Sequence, residues 1–319
     1  MATMKNFALI GAAGYVAPRH MRAIKETGNN LVAILDKSDS VGIVDQYFPE
    51  ASLFLESERF DRHVYRLLKK GDEQAVDYIS VCSPNYLHDA HIRLALRNQA
   101  DAICEKPVVL NTWNLDGLEE IEKDTGKKVY HILQLRLHPS VINLKKKIEE
   151  GPSDRIYDID LTYVTGRGKW YYYSWKADEA KSGGITTNIG VHFFDMLTYI
   201  FGDVVGNTVH YKTASTAAGF LELKRARVRW FLSIDAQFVP DELRAQGKTT
   251  YRSILIDNEI FEFSDGFTDL HTRSYEKILA GEGFTLDDAR NYIHVCQEIR
   301  SKEPIGMQGE FHPLLTQCR

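Results

Sequence analysis

The sequence has few cysteines, no long apolar run and no excess of positive charge. Its 4 cysteines, Cys82, Cys104, Cys296 and Cys318, form no CxxC pair and have no histidine at metal-ligand spacing. This argues against a zinc site or a disulfide framework, and we expect no bound metal. A net charge of -5 argues against a nucleic-acid partner. No apolar run approaches the roughly 20 residues that a membrane helix needs, so we expect no membrane partner.

Length and composition indicate a folded chain of two domains. The 319 residues exceed one typical domain, and a hydrophobic content of 44% supplies material for a core. The apolar stretch Phe7–Ala17 is interrupted by Gly11 and Gly14, which is unlike a signal peptide. We therefore expect a cytoplasmic protein.

The first part of the chain alternates strand-like and helix-like segments. The strand-like runs are Phe7–Ile10, Leu31–Leu35, Leu53–Leu55, Tyr78–Cys82, Ala102–Cys104 and Val129–Leu133. The helix-like segments between them end near Thr27 or cover Arg59–Lys70, Leu87–Leu96 and Leu115–Lys123. This alternation predicts a parallel sheet covered by helices on both faces, which is a Rossmann-type α/β domain at residues 1–135.

The second part alternates apolar and polar residues along longer strands. These strands are Ile156–Tyr163, Phe220–Leu223, Val228–Ile234 and a hairpin in Tyr251–Phe263 that turns at Asp257-Asn258. Helices are expected at Ile189–Phe201, Thr272–Leu279 and Leu286–Arg300. The pattern predicts an α+β domain at residues 136–319 with a large, open, mostly antiparallel sheet, and the final helix could pack back on the first domain. The free face of the sheet predicts a homo-oligomer, a dimer or a tetramer.

A glycine loop after the first strand suggests a dinucleotide site. Gly11-Ala12-Ala13-Gly14-Tyr15-Val16-Ala17 is G-x-x-G-x-x-A, which still allows a tight turn and close approach to a pyrophosphate. We place Gly11, Ala13, Gly14, Tyr15 and Val16 at the cofactor. Asp36 ends the second strand, where a carboxylate accepts hydrogen bonds from the ribose of NAD; Lys37 beside it leaves room for NADP. The alternative for Asp36 is a turn or capping residue.

Further candidate residues follow the fourth and fifth strands. Ser83-Pro84-Asn85 with His88, and Glu105-Lys106-Pro107, lie where open α/β sheets bind ligands. Lys106 beside a nicotinamide would polarise a substrate oxygen.

In the second half, Arg167, Lys169 and Lys176 flank the aromatic run Trp170–Trp175, which suits sugar faces and anions. Arg225, Arg227 and Arg229 alternate along one strand and suit either a subunit interface or a diphosphate.

In combination, four motifs resemble the Gfo/Idh/MocA oxidoreductase family over nearly the whole chain. They are the glycine loop with His20, Ser83-Pro84-Asn85-x-x-His88, Glu105-Lys106-Pro107, and Gly183-Gly184 followed by Asn188 to Asp195. The resemblance implies that Lys106 and His192 flank the reacting carbinol as catalytic residues. It implies cofactor contacts from Ser83, Pro84, Asn85, His88, Glu105, Lys106, Gln134, Trp175 and Lys176. Substrate contacts are expected from Lys106, Arg136, Arg167, Asn188 and His192.

Residues 8–20, 134–139, 225–235 and 269–272 resemble one branch of that family. The implied reaction is oxidation of C3′ of UDP-N-acetyl-2-amino-2-deoxy-D-glucuronate with NAD, in the synthesis of bacterial surface polysaccharide (O-antigen). Recycling of NADH by 2-oxoglutarate stays open. Many family members have aspartate where this chain has Asn188, so the proton transfer falls to His192 and Lys106. The alternatives are another sugar or polyol dehydrogenase (inositol or glucose type), an NAD-dependent glycosidase and a non-enzymatic NAD-sensing regulator.

Overall fold

The structure is a computed structural model that describes residues 4–263 and 269–318. The chain divides into two compact units. The first comprises Met1–Leu137 with Thr268–Arg290, and the second comprises His138–Phe267 with Asn291–Arg319. The first unit is therefore discontinuous in sequence, and it includes a later segment that the predicted boundary after residue 135 assigns to the second domain.

Two six-stranded sheets form the two units. The strands of the first sheet are β1 Asn6–Ile10, β2 Asn30–Leu35, β3 Ser52–Phe54, β4 Tyr78–Val81, β5 Asp101–Cys104 and β6 Val129–His131. Those of the second are β7 Tyr157–Thr165, β8 Val204–Lys212, β9 Thr216–Leu223, β10 Ala226–Ser233, β11 Thr250–Ile256 and β12 Glu259–Ile260.

Helices connect and cover these strands. They are α1 Ala17–Glu26, α2 Ser57–Lys69, α3 His88–Arg97, α4 Thr112–Thr125, α5 Pro139–Glu150, α6 Trp170–Tyr173, α7 Glu179–Ser182, α8 Val191–Phe201, α9 Asp241–Ala245, α10 Leu270–Leu279 and α11 Leu286–Ser301. Within the described residues, none of these helices is both long and apolar enough to cross a bilayer.

The first sheet is fully parallel in the order β3-β2-β1-β4-β5-β6. This is the strand order of dinucleotide-binding Rossmann folds and confirms the predicted fold of the first half. β1 lies in the middle, because its residues Phe7–Ile10 are apolar and almost fully buried. α1 and α10 pack together, and Tyr275 of α10 is completely buried in the same core as Phe7. Cys82 and Cys104 are buried free thiols.

The second sheet is mixed, in the order β12-β11-β7-β10-β9-β8. Its only parallel pair is β7 with β10; the other described neighbours are antiparallel, which confirms the mostly antiparallel prediction. The predicted hairpin is also confirmed, with Asp257 and Asn258 at φ of 50° and 68° in the turn. α8 packs closely on one face, since a Cβ on Gly190 would lie 2.5 Å from Leu232 Cδ1.

The other face of this sheet is partly covered by the chain itself. Val164 and Phe231 on that face are buried in one cluster with Leu315. His312 Nε2 lies 2.9 Å from Thr162 Oγ1 of β7. The prediction of a free face is wrong for this part of the sheet, because nothing in the residue pattern shows that the segment after α11 returns to it.

Candidate active site

The glycine loop is a tight turn between β1 and α1. The Gly11 N–H donates to Leu35 O at 2.7 Å, and the Gly14 N–H donates to Gly11 O at 3.0 Å. Gly11 has a φ of +91°, and a Cβ there would lie 2.6 Å from the carbonyl atoms of Cys82. Among the described residues, no side chain caps the first turn of α1. Backbone carbonyl oxygens already accept the Ala17 and Arg19 N–H groups of that turn, so it is the close approach allowed at Gly11 that fits a dinucleotide.

The Asp36 carboxylate braces this loop from the end of β2. Its Oδ2 accepts from the Ala13 N–H and its Oδ1 from the Ser38 N–H, both at 2.9 Å. These bonds match the turn role that was left open for Asp36. The ribose role stays a prediction, as do the cofactor contacts of the exposed Lys37 and of Tyr15, which is 90% exposed.

His88 joins the loop after β4 to the loop after β5. Its Nε2 lies 2.7 Å from Ser83 O, and its Nδ1 lies 2.7 Å from Pro107 O. Burial lowers the pKa of His88, although both carbonyl oxygens favour the protonated ring. Both nitrogens are engaged within the protein, so the structure assigns His88 to holding the two loops together. Its predicted cofactor contact, like those of Ser83, Pro84 and Asn85, stays a prediction.

Glu105 lies at the carboxyl end of β5 inside a buried polar cluster. Its Oε1 lies 2.9 Å from His20 Nε2 and 3.0 Å from His271 Nε2. His20 Nδ1 lies 2.7 Å from the Tyr275 hydroxyl, which is 2.6 Å from Ser80 Oγ. We call these five residues the Glu105 cluster. Glu105 was predicted at the cofactor; the structure directs its carboxylate into the interior.

Lys106 directly follows Glu105 after β5, so it lies at the carboxyl edge of the sheet, where ligands bind in such folds. It is half-buried. Its N–H donates to Glu105 Oε2 at 3.2 Å.

Gln134 and Arg136 lie on a short 3₁₀ turn, Gln134–Leu137. Arg136 is buried, and its guanidinium donates to Asp288 Oδ1 at 2.6 Å and to Asp288 O at 3.0 Å. The predicted substrate contact of Arg136 therefore has to compete with this ion pair.

In the second unit, Asn188 and His192 lie at the start of α8. A π-helical turn, Thr186–Gly190, precedes the helix, and such turns occur frequently at functional sites. Asn188 and His192 are half-buried, whereas most of their neighbours are buried. The Asn188 amide donates to the Tyr171 hydroxyl at 2.9 Å. Thr186, Thr187 and Asp195 are buried, so Asn188 and His192 are the more accessible polar positions of residues 186–195.

Aromatic residues and cations lie together before α7. Lys176 Nζ stacks 4.9 Å from the Trp175 ring and 5.6 Å from the Trp170 ring. Burial lowers the pKa of Lys176, and Arg167 acts in the same direction. Arg167 itself is exposed. This group of residues suits an anion attached to a sugar.

Arg225, Arg227 and Arg229 have partners within the second unit. Arg225 donates to the carbonyl oxygens of Ile148 and Pro152 at 2.6 and 2.5 Å. Arg229 pairs with Asp160 at 2.5 Å, and Arg227 pairs with Glu310. A diphosphate or an interface is the expectation for these cations; the structure pairs Arg227 and Arg229 with carboxylates and Arg225 with two backbone carbonyl oxygens.

Three polar groups that contact predicted site residues were not predicted as their partners from the sequence. Ser80 and Tyr275 belong to the Glu105 cluster, and Tyr171 is the partner of Asn188. Tyr275 is 255 residues from His20 in sequence, so no local pattern relates them. The sequence pointed to His271 only as one of residues 269–272, which resemble one branch of the family.

The comparisons with known proteins agree with this geometry. Residues 5–132 match the model of the GFO_IDH_MocA oxidoreductase family, NAD-binding Rossmann fold, and residues 145–239 match its C-terminal alpha/beta domain. The chain belongs to the Gfo/Idh/MocA family. This confirms the resemblance and the prediction of an NAD-binding first domain.

Solved structures of Gfo/Idh/MocA relatives match almost end to end. The WlbA (WbpB) dehydrogenase from Thermus thermophilus, in complex with NAD and alpha-ketoglutarate, is 53% identical with a TM-score of 0.94, covering 98% of this chain and 100% of that one. Its complex with NAD and UDP-GlcNAcA is 52% identical with a TM-score of 0.93 over the same shares. The Bacillus subtilis (strain 168) putative oxidoreductase YteT is 25% identical over 207 residues, 62% of this chain and 47% of YteT. The matched region thus spans about half of that curated relative.

Proposed function

We propose that this protein is an NAD-dependent dehydrogenase that oxidises C3′ of UDP-N-acetyl-2-amino-2-deoxy-D-glucuronate to the 3-keto sugar, for surface polysaccharide (O-antigen) synthesis. The observation that carries the proposal is the 52% identity, over nearly the whole chain, to a dehydrogenase whose structure holds NAD and UDP-GlcNAcA. The Trp175–Lys176 group supports it, because cations stacked on aromatic rings suit a sugar acid. Lys106 and His192 supply the two groups that the reaction needs.

His192 accepts the proton of the C3′ hydroxyl as general base. Lys106 donates a hydrogen bond to the same oxygen and stabilises the developing carbonyl. When bound, NAD would supply the acceptor for the hydride that leaves C3′. The glycine loop would hold its pyrophosphate, and Asp36 would accept hydrogen bonds from its ribose. Asn188 hydrogen-bonds to the substrate but cannot accept a proton from it, so His192 performs the deprotonation.

Two finer points belong to the same proposal. Recycling of NADH by 2-oxoglutarate is supported by the Thermus structure that holds NAD and alpha-ketoglutarate, which is the same compound. The second point is that the protein forms a homo-oligomer through the part of the second sheet that the last segment leaves uncovered. We also propose that the protein is cytoplasmic. Elution as a strict monomer at micromolar concentration would remove the oligomer.

A sugar panel tests the proposed activity. The purified protein is given NAD and one of UDP-N-acetylglucosaminuronate, UDP-N-acetylglucosamine, UDP-glucuronate, glucose or inositol, with and without 2-oxoglutarate, and NADH absorbance is followed. Of the five sugars, we expect only UDP-N-acetylglucosaminuronate to produce NADH absorbance, because both its acetamido and its carboxylate groups are recognised. Activity with inositol or glucose instead would support a polyol or simple-sugar dehydrogenase and reject the polysaccharide role.

A further inference from the structure

The Glu105 cluster is a buried polar group that the proposed proton transfer does not use. Glu105, His20, His271 and Ser80 are all buried, and Tyr275 is completely inaccessible. Five polar side chains in a core cost free energy unless their hydrogen bonds are satisfied. The contacts in this cluster allow the protons to be placed one by one.

A carboxylate only accepts hydrogen bonds, so His20 and His271 both donate to Glu105 through Nε2–H. His20 is then free to accept at Nδ1 from the Tyr275 hydroxyl, whose oxygen accepts from Ser80. Burial alone would raise the pKa of Glu105, but the hydrogen bonds from both histidines outweigh it and hold that pKa well below its usual range. Burial lowers the pKa of His20. The carboxylate is therefore ionised and His20 is neutral.

The same ligand atoms also form a grouping that could hold a metal ion, since they lie within 4.8 Å of one another. The nitrogen–oxygen distances of 2.9 and 3.0 Å are those of hydrogen bonds. Hydrogen bonding thus accounts for the arrangement. Glu105 therefore supplies a fixed, buried negative charge.

We propose that this charge holds the bound cofactor toward its oxidised form. Glu105 directly precedes Lys106, and neighbouring Cα atoms are about 3.8 Å apart. The inference rests on the proposed function, in which Lys106 lies at the reacting carbon and so beside the nicotinamide. The oxidised ring carries a positive charge and the reduced ring is neutral, so a buried anion nearby attracts NAD and leaves NADH almost unaffected.

The consequence is a bound NADH that readily gives up its hydride. A second substrate of the 2-oxo acid class would accept the hydride at its carbonyl carbon and a proton at its oxygen. The products are a 2-hydroxy acid and bound NAD. The buried carboxylate thereby favours reoxidation in place over release of NADH.

The test is the ratio of two dissociation constants, measured without any sugar. NAD binding is followed by calorimetry and NADH binding by fluorescence, on protein treated with a chelator, for the wild type, Glu105→Gln and Tyr275→Phe. We expect Glu105→Gln to lower Kd(NADH)/Kd(NAD) by about five- to twentyfold, as one charge at roughly 9 Å through a partly polar medium predicts. Tyr275→Phe removes a hydrogen bond from the cluster but no charge, so its ratio should stay within about twofold of wild type.

A ratio for Glu105→Gln within about twofold of wild type would overturn the inference. If that variant does not fold, His271→Lys replaces it, because an ammonium beside Glu105 cancels the charge and keeps the carboxylate. The same lowering of Kd(NADH)/Kd(NAD) is expected, and an unchanged ratio would equally overturn the inference. A tenfold change in the ratio corresponds to about 30 mV in the potential of the bound cofactor. Since no sugar is used, failure of the sugar panel and failure of this test are separate results.

Discussion

At the scale of single residues, the proposed reaction depends on two side chains with different surroundings. Lys106 follows a buried carboxylate at the edge of a parallel sheet, and His192 lies on an apolar helix directly after a π-helical turn. We expect Lys106→Ala and His192→Asn each to lower kcat by about 10²–10⁴-fold, the usual share of general acid–base catalysis. Stopped-flow absorbance of the NADH formed in a single turnover measures the loss, and calorimetry should show that NAD still binds.

The matched control for this pair is His294→Asn. His294 is an exposed histidine of α11 whose carboxylate neighbour, Glu298, is 3.9 Å away. Its replacement should leave kcat unchanged. Near-wild-type turnover in either Lys106→Ala or His192→Asn would reject the assigned roles.

Motifs that are local in sequence correctly predicted where several candidate residues lie relative to strands and helices. The glycine loop, Asp36, Lys106 and His192 each lie at the end of a strand or the start of a helix, as expected. The partners of these residues could not be predicted in the same way. His271 reaches Glu105 across 166 positions, and only the folded chain brings them together.

At the scale of elements, the turn from β1 to α1 depends on the absence of a side chain at Gly11. Gly11→Ala places a methyl group 2.6 Å from the Cys82 carbonyl and forces a left-handed backbone, which alone costs about 1–2 kcal/mol. We expect the Kd for NAD to rise at least about tenfold, since this turn holds the pyrophosphate. Calorimetric titration with NAD measures the change.

Gly28→Ala is the control for the backbone effect. Gly28 has a φ of +74°, but a Cβ there would meet nothing within 4 Å. This variant should lose some stability and keep its affinity for NAD. Equal affinities in both variants would show that the close approach to Cys82 does not shape the cofactor loop.

Periodicity predicted most strands and helices within a few residues. The six strands of the first sheet were all expected, because each is a short apolar run between turn residues. α5 and β8 were not predicted. β8 is only partly buried along most of its length, so it lacks the clear alternation of β7 and β10.

At the scale of the whole molecule, buried imidazoles make stability depend on pH. Burial lowers the pKa values of His91, His131 and His312 to about 4. Because these values lie below the ordinary value of about 6.5, the stability that each neutral ring provides is complete above pH 6.5 and is lost as pH falls toward about 4. We expect the free energy of unfolding, measured by urea titration, to fall by about 1.4 kcal/mol per pH unit for each such group in that window.

His312→Asn isolates one of these groups. The neutral ring accepts from the Leu314 N–H at Nδ1, and asparagine can accept the same bond at a helix start without titrating. Between pH 7 and pH 5, the variant should lose about 2 kcal/mol less than the wild type. Identical slopes would mean that His312 is not neutral in the folded protein.

The fold of each half could be predicted from its pattern of apolar and polar residues, but the boundaries of the two units could not. Strand–helix alternation predicts a Rossmann sheet, and longer alternating strands predict the second sheet. Nothing in the amphipathic pattern of α10 tells which sheet it packs on. Its Tyr275 is buried against Phe7, so the helix belongs to the first unit although it follows most of the second.

The discontinuity of the first unit limits how the gene can be divided. A fragment of residues 1–135 contains every strand of the first sheet, yet it lacks α10. Without Tyr275 and His271, Ser80, His20 and Glu105 would each lose one hydrogen-bond partner, and only the bond between His20 and Glu105 would remain of the bonds described for this cluster. An isolated cofactor domain therefore requires residues 270–279 to be spliced back onto it.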